Sequence, residues 1–328
     1  MKKKISTLLG MIKRFWLIYE QAKPVGILGR MRVVWNALRL QIDQVRGRRV
    51  ILRRIHGNRM LLDLNRAGIA HELAIWGGRE ELETRVFWGA IKKGMVVVDL
   101  GANIGYYTLL AATLVGPRGK VYAIEPLPAN YSTLTRNVEL NNFATIVETH
   151  QLAISDRDGD SRFFLGQADN LGTLLDHSKN TGKENDFITV KTTTLDTFLN
   201  GRGIDFLRMD IEGSECEVFD GMPATFHQNI PPRILFEVHP TGKIDPDPRF
   251  TPHFWRLLDL GYYPRFLISS SNPLAMPHFS ALGCTSLVKA RSGQALYENI
   301  KPEDLISVGA RRPKVTRTLY LVHKDDDR

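Results

Sequence analysis

Short runs of β-branched and aliphatic residues alternate along this chain with longer stretches whose apolar positions recur every three or four residues. The first kind suits strands and the second suits helices. Val96-Val97-Val98-Asp99-Leu100 is a run of the first kind; a glycine turn closes it, and a helical pattern follows Gly105. Further strands are expected at Lys120–Glu125, about Thr145–His150, Ile204–Asp210 and Ile234–His239, with a last pair at Tyr262–Ile268 and Thr318–His323. Helices are expected at Glu80–Trp88, about Ala129–Asn141 and beyond Gly213 to Gly221. Another should run from Thr251-Pro252 to Gly261, with threonine as cap and proline in the first turn. Such alternation means an α/β fold, with a mostly parallel sheet covered on both faces.

Some segments fall outside this rhythm. Arg162–Leu165 and Ile188–Thr193 read as an added strand pair around a polar loop, Gly166–Asp186, long enough to suggest function. The Pro-, Ser- and Gly-rich segment between Ile268 and Thr318 reads as an excursion over one face. Upstream, Arg49–Leu52 and Met60–Asp63 can pair through a turn at Gly57-Asn58. Residues 1–78 therefore read as a basic, helical N-terminal extension with a hairpin, and residues 79–328 as the main domain.

Charge adds partners to this picture. The 328 residues carry a formal net charge of +9, with 43% hydrophobic and 24% charged residues, as in globular proteins. The excess favours anionic partners without choosing among membrane, phosphorylated carriers, nucleic acid and acidic glycans. Lys2, Lys3 and Lys4 precede an apolar run from Ile5, then Lys13 and Arg14, then Phe15 to Tyr19. That run is too short to span a bilayer and lacks a small-residue cleavage site. It reads as a basic amphipathic helix, docked on its own domain, on a partner subunit or on an anionic membrane. Cys216 and Cys284 form no CxxC pair, which argues against a thiolate zinc site and favours reduced core thiols over a single disulfide. A cytoplasmic chain, peripheral on the inner membrane face, fits these features; oligomerisation stays open.

In sheets of this kind, ligands bind beyond the carboxyl ends of the strands. Asp99, Glu125, Asp156, Asp210, Glu237 and His239 all fall at or just past expected strand ends, so they should collect along one edge. The turn there reads D-x-G-x-N-x-G, which is not the dinucleotide pattern G-x-G-x-x-G. Glycines let a backbone approach a ligand, and a helix start points N–H groups at it. Glu125 follows Gly105 by twenty residues and can accept two hydrogen bonds from a ribose diol. The pair implies an adenosine compound. The missing third glycine and the several acids favour S-adenosylmethionine, a net cation without phosphate, over NAD.

The same residues carry a family resemblance. Val98 to Thr108 resembles the first motif of the FkbM family of S-adenosylmethionine-dependent methyltransferases, and Glu125-Pro126-Leu127-Pro128-Ala129-Asn130 resembles the family's E-P-x-P-x-N segment. Ala153-Ile154-Ser155-Asp156 and Asp210-Ile211-Glu212-Gly213-Ser214-Glu215 are similar to its third and fourth motifs. The likeness spans about residues 80–240. Arg208 departs from the family's usual lysine but keeps its charge. The resemblance implies a class I, Rossmann-like methyltransferase domain with a seven-stranded, mostly parallel sheet whose last strand is antiparallel. It implies O-methylation of a hydroxyl on a sugar, glycan, lipid-linked saccharide or polyketide-like metabolite. It places Gly101, Asn103 and Gly105, with Asp99 at the strand end, around the methionine part of the cofactor. Glu125 would hold the ribose, and Asp156 or Ile154 would approach the adenine.

An alcohol is a weak nucleophile, so a base must take its proton. Asp210 ranks first because it ends a strand beside the cofactor strand. His239 ranks second as a neutral imidazole at pH 7, and Glu212 is the third candidate. Glu215 reads as complementing a helix dipole. Asp210, Glu237 and His239 offer a magnesium- or manganese-type donor set, but nothing in the spacing demands a metal, and none is expected. Two other readings compete. A nucleic-acid methyltransferase would explain the arginines between Arg30 and Arg54, but no N-P-P-Y-type motif appears and nucleic acid is not favoured. A membrane-surface protein with a degenerate methyltransferase fold would not need the acids that survive at the strand ends.

Overall fold

A computed structural model describes residues 26–65, 68–166, 172–175, 186–239, 248–310 and 315–326. The amphipathic run from Lys2 to Tyr19 and most of the 166–186 loop lie outside them. The chain divides into two compact units, Met1–Arg79 and Glu80–Arg328.

In the first unit, helix α1 (Gly26–Val45) buries Val33, Ala37 and Leu40 together with Asp43. Strands β1 (Val50–Ile55) and β2 (Asn58–Asp63) pair as an antiparallel hairpin, and α2 (Ile69–Trp76) follows. The turn is His56-Gly57, one residue earlier than expected. Both residues have positive φ, 47° and 86°, as a tight two-residue hairpin turn requires, so Asn58 becomes the first strand residue.

The second unit opens with α3 (Glu81–Ala90), β3 (Val96–Leu100), α4 (Tyr106–Val115), β4 (Lys120–Ile124), α5 (Pro128–Leu140) and β5 (Val147–His150). Strands β6 (Ala153–Ile154), β7 (Gly159–Phe164) and β8 (Phe187–Thr193) form a separate small sheet, with β7 and β8 as the added antiparallel pair. Then come α6 (Leu195–Leu199), β9 (Phe206–Met209), α7 (Glu215–Asp220), α8 (Pro223–Phe226) and β10 (Arg233–Glu237). The rest comprises α9 (Phe250–Asp259), β11 (Tyr262–Ser269), α10 (Ala275–Ala281), β12 (Thr285–Lys289), β13 (Ala295–Glu298) and β14 (Thr316–His323). Helix α9 starts at Phe250, so Thr251 lies inside it rather than capping it.

The main sheet has the order β12-β13-β11-β14-β10-β9-β3-β4-β5. Strands β5, β4, β3, β9 and β10 are parallel, and β14 runs antiparallel between β10 and β11. These are the seven strands of the expected sheet, with its antiparallel last strand. The segment expected to cross over one face instead adds β13 and β12 beside β11. Without them β11 would present a free edge of backbone donors and acceptors. Tyr297 and Leu296 of β13 are buried, which anchors the addition.

Register fixes the functional edge. Leu100 lies opposite Ile124 and Met209, Ile124 opposite His150, Met209 opposite Phe236, and Glu237 opposite Thr318. The residues after these positions therefore emerge at one level. Beneath them Val98, Leu100, Leu207, Met209, Ile234 and Phe236 share a core with Phe219, Phe250 and Phe254. Among the described residues, no helix is long and apolar enough to cross a membrane.

Candidate active site

The turn after β3 depends on its glycines. Gly101 has φ 75°, and an added Cβ would collide with the Asp210 carbonyl oxygen. Gly105 has φ 95°, and its Cβ would stand 2.9 Å from the Leu134 side chain. Asn103 also takes a left-handed backbone, φ 51°, which asparagine tolerates best among side chains with a Cβ. The N–H groups of the turn itself, from Gly101 to Gly105, are engaged within it. Gly101 and Ala102 donate to the Ile124 carbonyl, Asn103 to Glu125 Oε2, Ile104 to Asn103 Oδ1 and Gly105 to the Ala102 carbonyl. A buried Asn137 Nδ2 holds the Ile104 carbonyl at 2.8 Å. The turn is thus rigid before anything binds.

Glu125 follows β4 and is 4% exposed. Its carboxylate accepts N–H groups from Asn103 at 2.8 Å and Leu127 at 3.0 Å, and Asn130 Nδ2 stands 3.5 Å away. Burial outweighs these bonds and pushes its pKa up to about 7. Asp99 is fully buried, with Thr108 Oγ1 at 2.6 Å and Arg208 Nη1 at 3.2 Å. Both its oxygens are engaged, so it supports the turn from beneath. Arg208 joins two strand ends: it reaches Asp210 at 2.7 Å, while its guanidinium lies 4.2 Å from the Tyr107 ring centre. Despite burial, Asp210 and Asp99 hold the guanidinium charged.

Beyond β9 and β10 an acid cluster surrounds one histidine. His239 Nδ1 lies 2.8 Å from Glu215 Oε1. Its Nε2 lies 3.5 Å from Glu212, 3.6 Å from Glu237 and 3.8 Å from Asp210. Burial alone would depress the imidazole pKa, but Glu215 first, then Glu237 and Asp210, raise it to about 10. The neutral imidazole expected at pH 7 is therefore replaced by an imidazolium. Glu215, read from sequence as a helix-dipole partner, is fully buried and orients that ring. Glu212 has φ 54°, strained for a residue with a Cβ. Its pKa rises to about 7, chiefly through burial, with Asp210 and Glu215 adding to the shift. Burial and then Asp210 also raise Glu237.

Three further residues reach this edge from elements that sequence reasoning did not connect to it. Arg317, on β14, bonds Glu237 at 3.0 Å, Glu83 at 3.1 Å and Glu80 at 3.4 Å. Glu80 precedes α3 with φ 47° and accepts the Tyr107 hydroxyl at 3.0 Å. Glu83 is 5% exposed, and burial raises its pKa. An available signal was Glu83's place beside Val86 and Phe87 on the apolar face of its helix. Asp156 stands apart, exposed after β6, with Ser155 Oγ at 3.1 Å. Ile154 is committed to the main core.

The carboxylates of Glu80, Glu83, Asp210, Glu212, Glu215 and Glu237 outnumber the cations Arg208, Arg317 and His239 here. Burial raises Glu212 to about 7 and Glu237 to about 8 and also raises Glu83, so near neutrality the charged acids roughly balance these cations. Among the described residues, two trios, Asp210-Glu212-His239 and Glu80-Asp210-Glu237, hold donor atoms within 4.8 Å of one another, close enough to share a cation.

The family model for the methyltransferase FkbM domain matches residues 99–263, half of the chain. A curated relative, Methyltransferase 1 of Beauveria bassiana (strain ARSEF 2860), is 30% identical over 145 residues, covering 38% of this chain and 57% of that protein. The chain thus spans less than two thirds of that relative's length. Among solved structures, methyltransferase FkbM from Methylobacillus flagellatus KT aligns with a TM-score of 0.37 at 16% identity, covering 69% of this chain and 52% of that one. M. jannaschii TYW2, solved in complex with AdoMet, aligns with a TM-score of 0.41 at 18% identity, covering 84% and 87%.

Proposed function

The chain belongs to the FkbM family of methyltransferases, and on that premise we propose that it O-methylates a hydroxyl on a sugar, glycan, lipid-linked saccharide or polyketide-like metabolite, using S-adenosylmethionine. The observation that carries this reading is the meeting, at one sheet edge, of a glycine turn tied to Glu125 and a cluster of carboxylates. A sulfonium cofactor fits that set: it brings a ribose for Glu125 and an amino-acid end for the turn, and lacks the phosphate that a cluster of acids would repel.

Bound S-adenosylmethionine supplies an electrophilic methyl group, and transfer exchanges its S–C bond for a C–O bond to the acceptor. The residues of the chain manage position and proton. Glu125 offers its remaining lone pairs to a ribose diol, and the prebuilt turn fixes the approach of the cofactor's amino-acid end. Positioning of this kind supplies much of the rate in such displacements. The acceptor O–H proton passes to a carboxylate.

The ranking of the base candidates changes with the geometry. Asp210 is committed to Arg208 at 2.7 Å, and a carboxylate paired with a guanidinium is a weak proton acceptor. His239 already carries its proton. Glu212, with a pKa about 7, is matched to proton transfer near neutrality. We assign it the base role, with His239 and Asp210 positioning it and the acceptor. Calorimetry with S-adenosylmethionine or its demethylated product tests the cofactor assignment; absence of binding to the purified chain overturns it. Labelled methyl transfer into glycan and glycolipid extracts tests the acceptor class, and label appearing only in nucleic acid or protein fractions overturns that part.

A further inference from the structure

Helix α1 buries one face and leaves the opposite one apolar. Leu28, Met31, Trp35, Leu38, Ile42 and Val45 recur at alternating spacings of three and four, which puts them on a single stripe. All are exposed: Leu28 by 83%, Trp35 by 62%, Val45 by 88%. At 1.5 Å rise per residue the stripe is about 25 Å long. Scattered surface apolar residues are ordinary, but a continuous row of this length marks a contact surface.

Charge identifies what the row meets. Arg32, Arg39 and Arg46 each follow a stripe residue by four positions, so they line one flank, and all are exposed. The helix has a single acid, Asp43, which faces inward and is bound by Arg48 and Arg53 at 3.0 Å each. No carboxylate of α1 therefore shares the outer surface.

We propose that α1 lies in the plane of an anionic lipid bilayer, with its stripe inserted below the headgroups and its arginine row against the lipid phosphates. Sequence reading allowed the first nineteen residues to dock on their own domain, a partner subunit or a membrane; among the described residues, α1 carries the membrane-binding chemistry. The three-four repeat is also that of a coiled-coil seam. A second copy of the chain fits poorly, however. The opposite flank carries Ile27, Val34 and Gln41, so a parallel partner offers the arginines no acid, and an antiparallel partner sets arginine against arginine. This attachment goes beyond the methyl-transfer reading and does not depend on it.

Co-sedimentation of the full chain with phosphatidylcholine vesicles, with and without one third phosphatidylglycerol, tests the proposal. Wild type is expected to pellet at least about tenfold better with the anionic vesicles, more so at low salt. Substituting Leu28→Ser, Trp35→Ser and Ile42→Ser together should abolish pelleting. Replacing Arg32, Arg39 and Arg46 by glutamine should remove the preference for anionic lipid. Unchanged thermal unfolding and cofactor binding establish that the variants fold. Equal pelleting with both vesicles overturns the proposal. So does pelleting that survives the serine variant but is lost when Lys2, Lys3, Lys4, Lys13 and Arg14 become glutamine. A wild-type dimer that the serine variant makes monomeric, with no vesicle binding, overturns it in favour of a homotypic seam.

Discussion

In the proposed role of ribose acceptor, Glu125 faces two demands that pull its proton in opposite directions. Burial keeps the carboxyl protonated up to about pH 7, whereas a ribose diol needs an ionised acceptor. The affinity for S-adenosylhomocysteine, measured by calorimetry, should therefore rise about tenfold per pH unit below 7 and level off above it. Glu125→Gln should weaken binding and flatten that profile. Glu212 predicts a second limb: kcat rises to a plateau above about pH 7, and Glu212→Gln lowers it by about 10²–10⁴-fold with little change in cofactor affinity. Both acids were legible in the sequence because each closes or follows a strongly apolar run. Glu80, Glu83 and Arg317 were not, since they arrive from a helix before the first parallel strand and from an antiparallel strand more than two hundred residues later. Periodicity places residues on faces but says nothing of which distant faces meet. The charge on His239 was hidden for the same reason: the acids that hold its proton flank two strand ends that only the sheet brings together.

At the scale of elements, the turn after β3 joins two strands through one backbone contact. Gly101→Ala would force a Cβ into the Asp210 carbonyl at a left-handed φ. It should destabilise the chain by more than about 1 kcal/mol, read as a lower urea midpoint, and should abolish cofactor binding in the folded fraction. The strand itself was easy to read, because Val96 to Leu100 is apolar enough to be buried on both sides. Strands β12 and β13 were hard to read within a segment rich in turn-forming residues. Their pairing is set by the open edge of β11, a tertiary circumstance that local composition does not record. The hairpin turn slipped by one residue because glycine supplied only half of the required geometry, and His56 supplied the rest.

Over the whole molecule, the raised carboxyls turn into a pH dependence of stability. An unfolded Glu125 loses its proton near the ordinary glutamate value of 4.5, while the folded one keeps it to about 7. Between those values the folded state binds more protons, so stability falls as pH rises, by roughly 3 kcal/mol once the window is crossed. Glu212 adds in the same direction. His239 has the opposite chemistry: its raised pKa contributes stability fully below 6.5 and loses it as pH climbs through about 10. Differential scanning of the ligand-free chain should thus show Tm declining from pH 5 to 8. A second stability test concerns the end of the sheet away from the site. Arg233 bonds Asp326 at 2.7 and 3.2 Å, and its guanidinium also holds the Ala90 carbonyl. Arg233→Met should cost about 3–5 kcal/mol by leaving a buried carboxylate without its guanidinium.

The place of β14 has a consequence for biosynthesis. The strand sits between β10 and β11, yet a ribosome makes it after both of them. Until residues 316–323 emerge, each of those neighbours presents an unsatisfied edge, while β3, β4 and β5 can already pair with one another. At synthesis rates of about 5–20 residues per second, nearly fifty residues lie between the end of β11 and the start of β14, so the half-sheet stands open for a few seconds. The nascent chain is most vulnerable to wrong pairing then, and Arg317 reaches Glu80, Glu83 and Glu237 in the same step that closes the sheet. Completion of the sheet and assembly of the candidate site thus arrive together, as one event that waits on the synthesis of a single strand.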